Sequence, residues 1–289
     1  MEKFANLIQK FSYLIFVVSI LIFLAGTIYS SDAFFHGVWM DRDLWRGYHF
    51  DPLSTITGPE SDTGARAPGG GFYALLKLAL HIHPDPLSAN VLRTGMFALS
   101  ILLLLTYTYH CWSIERSLMT TAIYASSGTL LKVSVFWNPG FIPLFSVLIV
   151  IFMHSYLKVA RGITFFMLFF TFSFASQIHQ QTIILMLGFL ATLLFYRVRL
   201  NWQHFLYAAL GILTAYLPYI ASELTDHFSR TRDMFARLLA SSYVGGDEFF
   251  NFKTSKLTLV SDLFSSTSDV FSAMGEHVSI VSNIFLQPL

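Results

Sequence analysis

The residues best suited to chemistry lie in one polar segment, residues 38–73, of an otherwise apolar chain. Asp41 and Asp43 stand two positions apart near its start. A carboxylate activates a hydroxyl by accepting its proton. The pair therefore predicts a general base, a general acid or a metal ligand, with a solvated surface as the alternative. The other ionisable residues that we single out in this segment are Arg42, Arg46, Asp51, Glu60, Asp62 and Arg66.

Glycine and proline recur through the same segment. Gly58 and Pro59 come before Glu60, and three glycines at 69–71 come before an apolar stretch. Each group is explained by turns, because Gly supplies positive φ and Pro fixes a bend. Together, in front of a helix, they also predict backbone N–H groups that favour a phosphate. Arg66 would add a forked donor to that phosphate.

Composition points to the membrane. The chain has 289 residues, of which 54% are hydrophobic and 12% charged, whereas soluble chains carry about 25% charged residues. A net charge of +1 and the lack of a Lys/Arg run argue against nucleic acid as a partner. The single cysteine, Cys111, excludes an intrachain disulfide and a thiolate cluster. His81 and His83 have no third ligand nearby in sequence, so we expect no cofactor, and a divalent metal stays an alternative that no ligand cluster supports.

Apolar runs of near-membrane length recur along the chain, and we expect about seven spans. Residues 72–82 are too short to cross and predict an interfacial or re-entrant helix. Residues 11–28 lack a clean cleavage site and predict an anchor rather than a signal peptide. The predicted spans are residues 11–28, 89–109, 118–135, 141–157, 162–176, 182–196 and 205–221.

Basic residues fall in every second connection, which predicts that these connections and the N-terminus are cytoplasmic. The fold class is therefore an all-α integral membrane protein, a polytopic helical bundle with a large first non-cytoplasmic loop. Residues 1–222 form the bundle, including outer loop 30–88. Residues 223–289 form a non-cytoplasmic tail in which 280–289 could begin a further span. The basic residues are Lys3, Lys10, Arg116, Lys158, Arg161, Arg197 and Arg199.

Two further turns fall on the polar face. Spans 162–176 and 182–196 are short, so their turn lies below the surface, where irregular backbone needs a wet cavity. Gln177 and His179 are predicted to line that cavity, although His179 also fits a buried core position. Asn138 is either part of the functional site or only part of a turn that ends a helix. Arg230 binds an anionic headgroup or belongs to a solvated loop.

These features occur in an order that resembles the GT-C superfamily of membrane glycosyltransferases. The nearest branch is that of the protein O-mannosyltransferases and lipid A aminoarabinose transferases. An acidic first outer loop is followed by a Gly-Pro-Glu-Ser motif and a glycine-rich helix entry, and no single motif is specific. The resemblance rests on residues 39–43, 58–61, Gly64, 68–73, 136–139, 177–179 and 216–219.

The resemblance implies transfer of a sugar from a polyprenyl-phosphate donor to a glycan, lipid or protein hydroxyl. Transfer would occur on the periplasmic or lumenal face of a membrane, here a bacterial inner membrane. The general base would be Asp43 or Asp41, with a slight preference for Asp43. The substrate-binding positions would be Arg66, Glu60, Asn138, Gln177, His179 and Arg230.

Two other functions stay open. Members of this superfamily often have more spans and an Asp-Glu pair in the first loop, where this chain has Asp41-Arg42-Asp43. A noncatalytic membrane subunit or truncated relative, which binds lipid-linked glycan or scaffolds a partner, is therefore the alternative. A transporter is disfavoured, because Lys132 and His154 are the main ionisable groups within the spans and offer little for ion coupling.

Overall fold

The structure is a computed structural model that describes residues 2–32, 38–52, 57–60, 66–127, 138–179, 182–229 and 231–232. Almost all of the described chain is helical, apart from one two-stranded antiparallel hairpin. The helices are α1 (Glu2–Asp32), α2 (Val38–Tyr48), α3 (Gly71–Ile82), α4 (Pro86–Cys111), α5 (Ile114–Ala125), α6 (Ile142–Lys158), α7 (Gly162–Ile178), α8 (Ile183–Phe195) and α9 (Trp202–Thr225). The strands are β1 (Thr57–Glu60) and β2 (Arg66–Pro68), and a 3-10 turn covers Asn138–Phe141.

Among the described residues, three helices are long and apolar enough to cross a membrane. They are Pro86–Cys111, Asn138–Lys158 and Trp202–Thr225, where the second includes the 3-10 turn. Shorter apolar helices occupy Lys10–Ala25, Gly71–Ile82, Gly162–Ile178 and Ile184–Phe195. These are the properties of an α-helical membrane protein, as the composition predicts. The count of seven spans stays a prediction.

Helix boundaries follow local chemistry. Asp85 precedes α4 and accepts a hydrogen bond from the backbone N–H of Leu87 at 2.7 Å, with Pro86 at the first helical position. Asn201 and His204 form a reciprocal capping pair at the start of α9. These caps satisfy N–H groups that a helix start leaves without partners.

Side-chain contacts fix the helix directions. Tyr107 of α4 hydrogen-bonds to His154 and Ser155 near the end of α6, at 2.9 and 3.0 Å. Tyr124 of α5 meets Ser100 of α4 at 3.0 Å. Tyr107 and His154 both lie near the C-terminal ends of their helices, so α4 and α6 run parallel. The contact between Tyr124 and Ser100 indicates that α5 runs antiparallel to α4.

The bundle therefore has two different ends. The polar end is the one that carries Asp43, Gly69–Gly71, Asn138 and His179. The basic end carries the connections with Arg116, Lys158, Arg161, Arg197 and Arg199, and there Lys158 lies 3.6 Å from the sulfur of Cys111. The described basic connections thus lie at one end, and the cytoplasmic location of that end stays a prediction.

The polar segment is more ordered than the loop that the sequence predicts. Residues 38–48 form α2, because Met40, Leu44 and Gly47 recur at helical spacing and pack on α3. A Cβ on Gly47 would lie 2.5 Å from the Cβ of Leu76, so only glycine permits this close approach. After α2, the Lys77 amine donates to the carbonyl of Phe50 at 2.6 Å and holds the chain against α3.

Three apolar clusters form the interior. The α3 core joins α2, α3 and α4 with Phe141 and Ile178, the α7 core joins α6 to α9, and the α1 core joins α1, α4 and α5. The α3 core contains Leu44, Phe50, Phe72, Tyr73, Leu76, Ala79, Leu80, Ala89, Met96, Phe141 and Ile178. The α1 core contains Phe23, Phe97, Ile101 and Ala125.

Candidate functional site

Asp43 lies at the centre of a polar cluster between α2 and α3. Its side chain is 14% exposed, and the Tyr73 hydroxyl donates to its Oδ1 at 3.0 Å. The Arg42 guanidinium contacts the same oxygen at 3.4 Å, and Arg46 acts to lower the pKa of Tyr73. Within the described residues the hydrogen bonds of Asp43 all fall on Oδ1. Oδ2 can therefore accept a proton from another group.

Burial and hydrogen bonding shift the pKa of Asp43 in opposite directions. Burial raises the pKa of the Asp43 carboxyl above its usual value, and this effect exceeds the lowering by the Tyr73 hydrogen bond and by Arg42 and Arg46. Burial, followed by the nearby Asp43 charge, raises the pKa of Tyr73 to about 12. Tyr73 therefore stays protonated at neutral pH and remains a donor to Asp43.

Asp41 does not share this cluster. It lies on the exposed side of α2, because residues two apart on a helix point to different faces. The helix thus separates the two carboxylates that the sequence presents as a pair. Asp43 follows Met40 by three residues and precedes Gly47 by four, so it occupies the stripe that faces α3.

The three glycines pack closely beneath this cluster. Gly69 has φ of +92°, and a Cβ there would lie 2.5 Å from the Gln177 side chain. A Cβ on Gly70 would overlap the Phe50 ring, and one on Gly71 would lie 3.0 Å from the Cβ of Gln177. Close packing thus accounts for these glycines. The phosphate cradle predicted there stays a prediction.

Gln177 and Asn138 join the helices at the polar end. Gln177 is 4% exposed, and its amide donates to the carbonyl of Ala215 in α9 at 2.8 Å. Asn138 donates to the carbonyl of Ile178 at 2.8 Å, with His179 Nδ1 at 3.3 Å. Gln177 therefore packs inside the bundle rather than lining an open cavity. His179 is half-buried.

The remaining predicted residues are placed only in part. The backbones of Glu60 and Arg66 lie opposite each other in the hairpin of β1 and β2, whose strands also contact α7. Arg230 lies outside the described residues, as do residues 180–181 and the tail from 233. The structure therefore brings the first segment, Asn138 and the end of α7 together. No group of three or more His, Cys, Asp or Glu that could hold a metal occurs in the described ranges.

Sequence reasoning missed the partners of Asp43. In the sequence, Tyr73 stands out only as part of a glycine-rich motif, and Arg46 only as one charge among many. A signal was available, since Met40, Asp43, Leu44 and Gly47 follow the i, i+3, i+4, i+7 pattern of a buried helix face. A carboxylate on such a face needs a partner. The neighbouring helix supplies it as Tyr73.

The chain is an α-helical membrane protein with a partly buried carboxylate at the polar end. Comparisons with protein-family models, with curated proteins and with solved structures found no match.

Proposed function

We propose that this protein is a membrane glycosyltransferase of the GT-C type. It moves a sugar from a polyprenyl-phosphate donor to an acceptor hydroxyl on the periplasmic or lumenal face, and a bacterial inner membrane is the proposed location. The basic end of the bundle then faces the cytoplasm. The polar end, with Asp43, faces the side where transfer occurs.

One observation carries the proposal: Asp43 has the burial and raised pKa of a general base, and the described residues leave its Oδ2 without a hydrogen bond. Efficient proton transfer requires a base whose pKa lies nearer the working pH than that of an ordinary carboxylate. Burial moves the pKa of Asp43 in that direction. Tyr73 fixes the orientation of the carboxylate through its hydrogen bond to Oδ1.

The proposed reaction is a single displacement. Oδ2 of Asp43 accepts the proton of the acceptor hydroxyl while the hydroxyl oxygen forms a bond to the anomeric carbon. The bond from that carbon to the lipid phosphate oxygen breaks, and its electron pair leaves with the polyprenyl phosphate. Nearby cations such as Arg42 and Arg46 stabilise the negative charge that develops on the leaving phosphate.

The second candidate is a noncatalytic subunit that binds lipid-linked glycan or scaffolds a partner. It is favoured by the contacts of Asp43 with Arg42 and Tyr73, at 3.4 and 3.0 Å. A carboxylate held in this way also serves to join α2 to α3. In that case donor lipid binds and is not consumed.

The test is transfer of labelled sugar from a panel of polyprenyl-phosphate sugars by the purified full chain in lipid. Asp43→Asn keeps the shape of the side chain and removes its basicity. Asp41→Asn is the matched control, because Asp41 is exposed on the same helix. We expect Asp43→Asn to lose about 10²–10⁴-fold in turnover and Asp41→Asn to stay within a few-fold of the wild type.

The outcomes separate the candidates. Equal loss in both variants, or no loss in Asp43→Asn, contradicts the assignment of Asp43 as the base. Donor binding without any transfer supports the noncatalytic subunit. Failure to bind any polyprenyl-phosphate sugar removes the basis for either lipid-linked function.

A further inference from the structure

An open cavity lies at the basic end of the bundle, away from the Asp43 cluster. It has a volume of about 860 Å³, and its walls come from the start of α1, the end of α4 and the start of α5. Asp43 lies at the other end of the bundle. The proposed transfer reaction therefore makes no use of this space.

The helix directions place the cavity at one membrane interface. Phe23 of α1 contacts Phe97 of α4, with ring centroids 6.0 Å apart, and Tyr13 and Tyr109 of the same helices both line the cavity. α1 therefore runs antiparallel to α4, and the cavity lies beside the last two turns of α4. Because α4 is long and apolar enough to cross a membrane, these turns lie where the hydrocarbon core meets the headgroups.

The wall of the cavity changes from apolar to polar toward the end of α4. Leu105 lines its deep end, and the hydroxyl of the neighbouring Thr106 is already bonded to two carbonyls of its own helix, at 2.8 and 3.1 Å. His110 and Ser113 line the other end. His110 follows Leu105 by five residues, which is about 7.5 Å along the helix. A lipid has the same change of polarity between its acyl chain and its headgroup.

Three aromatic side chains with polar atoms line the same cavity. Tyr13, Tyr109 and Trp112 are all exposed, so parts of their rings remain open to a ligand. Trp and Tyr are enriched at the membrane–water interface, where the ring contacts lipid and the polar atom meets water. These rings favour a lipid over a small soluble ion as the occupant.

The charges beside the cavity favour an anionic headgroup. Lys10 precedes Tyr13 by three residues and Arg116 follows Ser113 by three, so each lies about one helical turn from a lining residue. Both cations are exposed. Glu115 brings one negative charge to the same turn, so the balance of these three charges is positive. Basic residues near a membrane surface attract anionic lipid.

We propose that this cavity binds an anionic phospholipid from the bilayer leaflet at the basic end. An acyl chain of the lipid covers Leu105 and the ring of Tyr109. The phosphate lies near Ser113, within the field of Lys10 and Arg116. The inference does not rest on sugar transfer, and it holds equally for a noncatalytic subunit.

The test compares binding of phosphatidylglycerol and of phosphatidylcholine with the same acyl chains, by native mass spectrometry of the purified, delipidated full chain in detergent. Arg116→Gln and Glu115→Gln remove opposite charges beside the cavity. Arg199→Gln is the matched control, because Arg199 is exposed in the connection between α8 and α9 at the same end. Trp112→Ala removes a lining ring, and Trp202→Ala removes an exposed ring of the same end that does not line the cavity.

We expect the wild type to bind phosphatidylglycerol more tightly than phosphatidylcholine. Arg116→Gln should weaken phosphatidylglycerol binding about fivefold, which corresponds to about 1 kcal/mol for one basic residue near a membrane surface. Glu115→Gln should strengthen the same binding, because it removes the opposing charge. Trp112→Ala should weaken binding of both lipids about three- to tenfold, since the ring contacts apolar surface that the two lipids share. The two control variants should bind like the wild type.

Each other outcome overturns a part of the proposal. Equal losses in Arg116→Gln and Arg199→Gln would assign the preference to the general charge of the basic end rather than to the cavity. Equal affinity of the wild type for the two lipids would exclude an anionic headgroup, and unchanged binding in Trp112→Ala would exclude the cavity as the site. If Trp112→Ala fails to fold, the charge variants decide, because substitutions of exposed residues rarely unfold a protein.

Discussion

Replacing Gly69 by alanine tests the packing that holds the polar segment against α7. The residue has φ of +92°, where an L side chain costs about 1–2 kcal/mol. The new Cβ would also lie 2.5 Å from the Cγ, Cδ and Oε1 atoms of Gln177. Gln177 is buried, and moving it aside breaks its 2.8 Å hydrogen bond to Ala215, which costs about 1–3 kcal/mol. We expect a total loss of about 2–5 kcal/mol.

A double-mutant cycle separates the two contributions. In a Gln177→Ala background the overlapping atoms are gone, so Gly69→Ala should cost only the backbone part, about 1–2 kcal/mol. The coupling between the two substitutions is then about 1–3 kcal/mol. Unfolding in mixed micelles with a denaturing detergent, followed by tryptophan fluorescence, measures each free energy.

Gly95→Ala is the matched control. A Cβ at Gly95 meets nothing within 4 Å, and alanine in a helix interior is about 0.5–1 kcal/mol more favourable than glycine. This variant should therefore be as stable as the wild type or more stable. The reasoning is refuted if Gly69→Ala costs the same in both backgrounds, or if it behaves like Gly95→Ala.

Three further predictions follow from single contacts. Tyr73→Phe removes a donor that lowers the pKa of Asp43, so this pKa rises further. Because the proposed base works ionised, the acid limb of the pH–rate profile should move to higher pH, and an unmoved limb contradicts this. Gly211→Ala would bring a Cβ to 2.6 Å from the carbonyl oxygen of Phe166. This clash should force α9 away from α7 and lower the unfolding free energy by about 1–3 kcal/mol. Wild-type stability in mixed micelles would falsify the contact. Asn138→Ala removes the 2.8 Å hydrogen bond to the buried carbonyl of Ile178 and should lower the unfolding free energy by about 1–3 kcal/mol. Thermal unfolding that matches the wild type argues against a stabilising role of this hydrogen bond.

The separation of Asp41 from Asp43 on α2 was not predicted from the sequence. The sequence presents them as a pair, and their chemistry as carboxylates is evident from residue type alone. Only the helical backbone decides that one faces α3 and the other faces out, because alternate positions diverge on a helix. The partner of Asp43, Tyr73, is 30 residues further along the chain.

The environment of Gln177, where a cavity is predicted, also depends on tertiary structure. Its polar type and its place between two short apolar stretches predict a wet site below the surface. In the structure it lies against Gly69 and bonds to Ala215 of α9. Composition cannot distinguish a buried polar group that meets water from one that meets a backbone carbonyl, because both satisfy the same hydrogen bonds.

The sequence by itself determined that this is a helical membrane protein with its basic connections at one end and a polar segment at the other. Those properties follow from apolar run length and charge spacing, which are local along the chain. Only the tertiary structure decided that Asp43 bonds to Tyr73, that the glycines at 69–71 fit against Phe50 and Gln177, and that Arg93 is buried against Asn90. Such contacts join residues far apart in sequence, so packing between helices decides them.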